Sequence, residues 1–195
     1  MEAIDYGYAH PFCCLWIAID PVGRWYVIAE HYEKERSLRH HVTEIKKMRD
    51  LLGVQPSVTW IDPSVVRSDR GYESVQMELT DLGMYTAKAE NERLGGWARL
   101  DEMLLTDLPD GKPWLQVFHS CRNLIRELPS AKIKDGTEDV EKKNDHTLDA
   151  LRYAVMSRPP IPVGPDDLEE ADFRRKYAQD IFDRAARDDP NLLYG

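Results

Sequence analysis

The chain has little cysteine: Cys13, Cys14 and Cys121 are the three in 195 residues. Three cannot build a disulfide framework, and neither their number nor their spacing fits a zinc site. Cys13 and Cys14 are neighbours, so on a strand they point to opposite sides, and buried free thiols in a reducing compartment are expected. No apolar run approaches the roughly 20 residues of a membrane span, and the N-terminus carries no basic, apolar leader pattern. A GxxxxGK[ST] loop is also missing. The Gly-Lys of "PDGKPW" is followed by proline and reads as a turn, so no loop of this kind cradles nucleotide phosphates. Positive charge is in deficit, with a net of −9, which argues against a broadly basic surface. Part of that excess is local, because residues from Pro159 onward hold nine acids against five bases. Net charge also says little about a site whose acids are neutralised by bound cations.

What is present, 42% hydrophobic and 31% charged residues, describes a soluble globular domain with an appendage. The stretch "AIDYGYAHPFCCLWIAIDPVGRWYVIAEHYE" predicts three successive strands, at 3–8, 12–19 and 24–32, with "DPVGR" as a tight hairpin turn. "SLRHHVTEIKKMRDLLG" places Leu38, Val42, Ile45 and Leu52 on one helical face, with Ser37 to cap it and Gly53 to end it. "SVTWIDPS" is a short strand stopped by Pro63. Residues 73–82 read as helix, 84–88 as strand, and 92–108 as a helix with Leu94, Trp97, Leu100 and Leu104 inward. A strand at 114–118, a helix at 121–128, a loop or small hairpin over 130–144 and a helix at 145–157 follow. Beyond residue 158 a Pro-rich linker leads to a charged segment, 166–188, where Phe173, Tyr177 and Ile181 mark a weakly amphipathic helix. The domains are therefore 1–158 and a linker with tail at 159–195.

The chemistry concentrates in "NDHTLDALRYAV", Asn144 to Val155. Leu148, Leu151 and Val155 recur at helical spacing, while Asp145, His146 and Asp149 lie three and four apart and project to one side. An acid in mid-helix gains nothing from the helix dipole. Either Asn144 or Asp145 caps the helix and Asp149 is solvated, or these side chains are ligands. Two distant acids bear on the choice. Asp5 stands at the end of the first strand ahead of Gly7, and Asp62 at the end of the fourth before Pro63. Each has an ordinary account, strand-end capping for Asp5 and turn initiation for Asp62. Hairpin-linked strands are antiparallel, and a strand entered through a helix lies parallel to the first. That topology puts Asp5 and Asp62 on neighbouring strands, and the closing helix brings Asp149 to the same edge, all three unpaired. Clustered carboxylates repel unless a cation neutralises them, and hard oxygen ligands suit Mg²⁺ or Mn²⁺.

The order βββαβ, with "IDYG" on the first strand, "WIDPS" on the fourth and "DHTLDALRYA" on a late helix, resembles the nuclease domain of a tailed-phage large terminase subunit. That family belongs to the ribonuclease H-like, or retroviral integrase-like, superfamily. The resemblance spans roughly residues 1–158 and implies an α/β fold: a mixed sheet of five or more strands, the first three antiparallel, flanked by helices. It implies metal-binding acids at Asp5, Asp62 and Asp149, with Asp5 central. Asp145 either assists a second metal or caps the helix, and His146 either orients a water or phosphate oxygen or bonds Asp145 or a loop carbonyl. The implied reaction is endonucleolytic cleavage of double-stranded viral concatemers with two Mg²⁺ or Mn²⁺ ions about 3.5–4 Å apart. Implied partners are a terminase ATPase domain, the portal and the small terminase subunit, in the host cytoplasm and with no membrane. Lacking a nucleotide loop, the chain reads as the nuclease half alone. Lys88, Lys132, Lys134, Lys142 and Lys143 are candidate phosphate contacts, although any one of them alone reads better as part of a solvated face. Two rivals stand beside this reading: another ribonuclease H-like nuclease, of junction-resolvase, transposase or hybrid-cutting type, or a non-catalytic module docking to portal or small terminase.

Overall fold

A computed structural model describes residues 1–65, 74–105, 110–130 and 145–157. The strands are β1 (Glu2–Asp5), β2 (Phe12–Ile19), β3 (Trp25–Glu33), β4 (Thr59–Ile61), β5 (Ala87–Lys88) and β6 (Leu115–Val117). They form one six-stranded sheet in the order β5-β4-β1-β2-β3-β6. β1, β2 and β3 are antiparallel neighbours, while β4 runs parallel to β1, β5 to β4 and β6 to β3. The α/β class and the antiparallel opening therefore stand as expected. The first strand is shorter than its pattern suggested, because the chain turns away after Asp5.

Helices cover both faces. α1 (Leu38–Leu52) is capped by Ser37, whose hydroxyl accepts the His40 N–H, and ends on Gly53 at φ 63. It packs with α2 (Val75–Asp81) on one face, around Phe12, Cys14, Trp16 and Ile61. α3 (Arg93–Leu105), α4 (Arg122–Glu127) and α5 (His146–Ser157) cover the other, around Cys13, Leu15, Val27 and Leu151. Cys13 and Cys14 do point to opposite layers, because strand side chains alternate. The α3 reading needs correction: Trp97, Leu100 and Met103 are buried, but Leu94 is 47% exposed. The inward stripe begins one turn later than the apolar spacing implied.

Alternation also aims β1. Ala3 packs in the α5 layer and Ile4 in the α1 layer, so Asp5 emerges on the α5 side. Because β1, β3, β4 and β5 share a direction, their C-terminal ends meet at one edge, where Asp5, Asp62, Lys88 and Glu33 sit. Among the described residues no helix is long and apolar enough to cross a membrane. The segment 166–188 and the lysines at 132, 134, 142 and 143 lie outside the described residues.

Candidate active site

α5 lies across β1, β2 and β4 and packs against α3 and α4. It is buried almost all round, from Thr147 and Leu148 to Tyr153 and Val155. Its start is fixed from a distance: the buried carboxylate of Glu127, at the end of α4, accepts the Thr147 N–H at 2.8 Å and the Thr147 hydroxyl, and also the Tyr32 hydroxyl. A charged acceptor at a helix N-terminus satisfies N–H groups that have no partner within the helix. Asp149 consequently lies in the first turn, its N–H bonded to the Asp145 carbonyl at 2.7 Å, rather than in mid-helix as its place in the apolar pattern suggested. The dipole there favours an acid.

One cleft of about 660 Å³ is walled by Asp5, Asp62, Asp145, His146 and Asp149 together. These acids come from β1, the end of β4 and the start of α5. Asp5 is 7% exposed. Burial, with the charges of Asp149 and Asp62 adding to it, pushes its carboxyl up to about 7, although the His146 hydrogen bond opposes the shift. His146 donates from Nδ1 to Asp5 Oδ2 at 2.9 Å, and that bond raises the imidazole above its ordinary range. Asp145 is also raised, first by burial and then by Asp149, and its Oδ2 is buried with no hydrogen-bond partner among the described residues.

The expectation of unpaired acids needs correcting. Asp149 Oδ1 accepts from Arg152 Nε at 3.1 Å and Nη2 at 2.8 Å, with Arg93 Nη1 3.8 Å away. Asp62 Oδ1 accepts the Ser64 N–H at 2.8 Å and Oδ2 the Ser64 hydroxyl at 2.7 Å, so it does initiate a turn while facing the cleft. Among the described residues no three His, Cys, Asp or Glu side chains are grouped to hold an ion as they stand. The reason is physical. Carboxylates that would repel one another each take the nearest cation or donor. The donor set still fits a hard divalent cation: four carboxylates share the cleft, one has an oxygen without a partner among the described residues, and another, Asp5, is raised by burial and by its acidic neighbours.

The sequence pattern of the Terminase RNaseH-like domain matches residues 2–158. This chain belongs to that family. Its fold is also that of solved terminases. The large terminase of a thermophilic bacteriophage, solved in complex with ADP, is similar at 22% identity and TM-score 0.66, over 81% of this chain and 39% of that one. The same phage's protein in complex with ATP-gamma-S matches at 21% identity and TM-score 0.63, over 80% and 39%. This chain thus spans about two-fifths of the thermophilic phage's protein. The nuclease domain of the bacteriophage SPP1 large terminase, solved with bound Mn, is similar at 19% identity and TM-score 0.54, over 79% of this chain and 83% of that domain. No curated protein matches the sequence.

Within the terminase domain, sequence reasoning missed the groups that hold the acids. Arg152 is 1% exposed, and its guanidinium lies over the Tyr153 ring at 4.7 Å. Gly96 of α3 makes room for it: a Cβ there would come within 2.5 Å of Arg152 Cγ. The i, i+3 spacing of Asp149 and Arg152 was a readable signal. Arg93, which walls the cleft from α3, had none. Gly7 has a backbone reason to follow Asp5, since a Cβ would lie 2.5 Å from the His10 carbonyl oxygen in the β1–β2 loop. Lys88 is exposed at the end of β5 and is not part of the cleft wall.

Proposed function

We propose that this terminase domain is a metal-dependent endonuclease that cuts double-stranded, concatemeric DNA during viral genome packaging. The observation that carries the reading is the convergence of Asp5, Asp62 and Asp149, from three distant segments, on one cleft where Asp5 is left short of positive charge. Asp5, Asp62 and Asp149, with Asp145, would hold one or two Mg²⁺ or Mn²⁺ ions, and the Mn on the SPP1 domain supports that choice of metal class. Bound there, divalent ions supply an activated water and neutralise charge on the departing oxygen. The chain's own residues do the remainder. Asp5 would be the central ligand, and His146, bonded to it at 2.9 Å, would orient a water or a phosphate oxygen beside it. Arg152 and Gly96 hold Asp149 in place, and Ser64 holds Asp62. In the longer protein, the ATPase domain, portal and small terminase subunit are the partners this role calls for, acting in the host cytoplasm.

Cleavage of supercoiled plasmid with Mn²⁺, Mg²⁺ or EDTA, beside Asp62→Ala and Asp149→Ala, tests the reading. Metal-dependent nicking and linearisation lost in both variants is the expected result. Cutting that persists in them would place the chemistry elsewhere. No cutting in any lane would favour the docking module, in which the acids hold Arg152 and His146 for structure alone.

A further inference from the structure

A polyanion beside four carboxylates needs cations close by; of the lysines expected to contact DNA, Lys88 stands off the cleft wall and the others lie outside the described residues. We propose that a second cleft, on the β3 side of the first, receives the phosphate backbone of the strand running away from the scissile bond, with Lys34 and Arg36 as its phosphate contacts. This rests on the nuclease reading above.

The second cleft is about 710 Å³, and its wall includes His10, Tyr32, Glu33, Lys34, Arg36 and His146. His10 and His146 also wall the acid-bearing cleft, with ring centroids 5.7 Å apart, so the two hollows meet at this pair. Sheet geometry sets the scale. β1 and β3 are parallel with β2 between them, so the turn after β3 rises at the same edge as Asp5. Two strand spacings are about 10 Å, or about three base steps at about 3.4 Å of rise each. A strand whose phosphate sits at Asp5 therefore reaches this turn within a few nucleotides.

The turn is built to present its neighbours. Glu35 adopts φ 58, the left-handed region uncommon for a residue with a Cβ, and its N–H donates to the Tyr8 carbonyl at 2.8 Å. That bond ties the turn to the loop that carries Gly7 and His10. Lys34 and Arg36, on either side of Glu35, are exposed. The acid in the wall is already compensated: Glu33 Oε2 accepts from Arg36 Nε at 3.3 Å and from His40 Nε2 at 3.1 Å. The Arg36 bond is an exposed one of the kind that contributes little, so a phosphate can compete for the guanidinium. Lys34 has no ion pair among the described residues. Tyr32, in the wall, carries the Arg126 guanidinium over its ring at 5.6 Å.

The test is fluorescence anisotropy of a labelled short duplex in EDTA across a NaCl series, on Lys34→Glu, Lys34→Glu/Arg36→Glu and Lys112→Glu. Lys112 is an exposed lysine just before β6, at the opposite end of the sheet, so its reversal changes net charge equally without touching the cleft. Each true phosphate contact removes about one unit from the slope of log affinity against log salt. The double variant should lose about two units and bind about tenfold more weakly, with Lys112→Glu near wild type. Where cleavage is measured, KM should rise and kcat hold, as for groups that bind ground and transition states alike. Equal losses in Lys34→Glu and Lys112→Glu, or a wild type that does not bind duplex at low salt, would overturn the cleft. Normal cleavage with an unchanged slope would remove the cleft and leave the nuclease. A slope change in a protein that never cuts would do the reverse.

Discussion

At one end of β1 Glu2 is fully buried, and at the other Asp5 is 7% exposed. Both are acids on a central strand, yet their surroundings differ in kind. Glu2 accepts from Arg49 Nε at 2.8 Å, Arg49 Nη2 at 2.6 Å and the Thr59 hydroxyl at 2.9 Å, so both oxygens are satisfied by the chain itself. Asp5 has His146 on one oxygen and two further carboxylates as neighbours, and it holds a proton up to about 7. Burial alone therefore does not mark a functional acid. What separates the two is whether the fold supplies the countercharge. At Glu2 it does, with a two-bond arginine fork. At Asp5 it supplies one histidine, and burial with two acidic neighbours keeps the carboxyl raised.

Substitution should break this comparison in opposite ways. Asp5→Asn is expected to abolish plasmid cleavage and leave folding intact. Glu2→Gln should strand Arg49 against a neutral partner and cost about 3–5 kcal/mol, with cleavage per folded molecule unchanged. Urea melts beside cleavage assays read both, and an active Asp5→Asn would dissolve the distinction.

The pH dependence sharpens it further. Because Asp5 is raised in the metal-free fold, the native state binds a proton that the unfolded chain releases at lower pH. Stability therefore falls as pH climbs from the ordinary carboxylate range towards 7, and the full penalty applies above it. Asp5→Asn removes the penalty, so the variant should gain on the order of a few kcal/mol over wild type at pH 8 and almost nothing near pH 4. Equal gains at both values would mean that charge is not the cause.

The antiparallel opening, the fourth strand parallel to the first and the three converging acids were legible in the sequence, because each rests on local patterning or on crossover rules; the places of β5 and β6 in the sheet were not. Strand alternation correctly split Cys13 from Cys14. It said nothing of Glu2, which falls just outside the strand expected at 3–8, and Arg49, 47 positions away, is what tells it from Asp5. Asp149 looked mid-helical because the helix start depends on Glu127, which belongs to a different element. Leu94 looked inward because spacing fixes a stripe's direction and not where along the helix its cover begins. The arginine of "DALRY" carried no sequence reading of its own, and its burial became visible only with Gly96 across from it.

Arg152 extends the comparison to a second acid–arginine pair. Arg49 engages both oxygens of Glu2, whereas all the hydrogen bonds Arg152 makes to Asp149 fall on Oδ1. If Arg152 positions Asp149 as a ligand, Arg152→Lys keeps the charge but loses the two-bond geometry. Mn²⁺ binding should then weaken about 10- to 100-fold, the usual effect of removing a group that orients a ligand. Gly96→Ala should reproduce part of the loss by displacing the arginine stem. Calorimetric titration without DNA reads this directly. Tighter Mn²⁺ binding in Arg152→Lys would show the arginine to be a competitor for the carboxylate and not its support.

The smallest effect belongs to a third buried acid. Glu127 is 1% exposed, and it spends its carboxylate on the first turn of α5 and on Tyr32 rather than on the cleft. It stands with Glu2 on the structural side. Glu127→Gln retains one acceptor oxygen, so the helix start should persist with a loss of about 1 kcal/mol, the usual scale for a weakened N-cap. Faster amide exchange at Thr147, with Mn²⁺ affinity unchanged, is the expected signature. A fall in Mn²⁺ affinity matching that of Arg152→Lys would instead mean that the acids at the start of α5 depend on the helix terminus as a whole, and the boundary between the supporting and the reacting carboxylates would have to be drawn one turn further out.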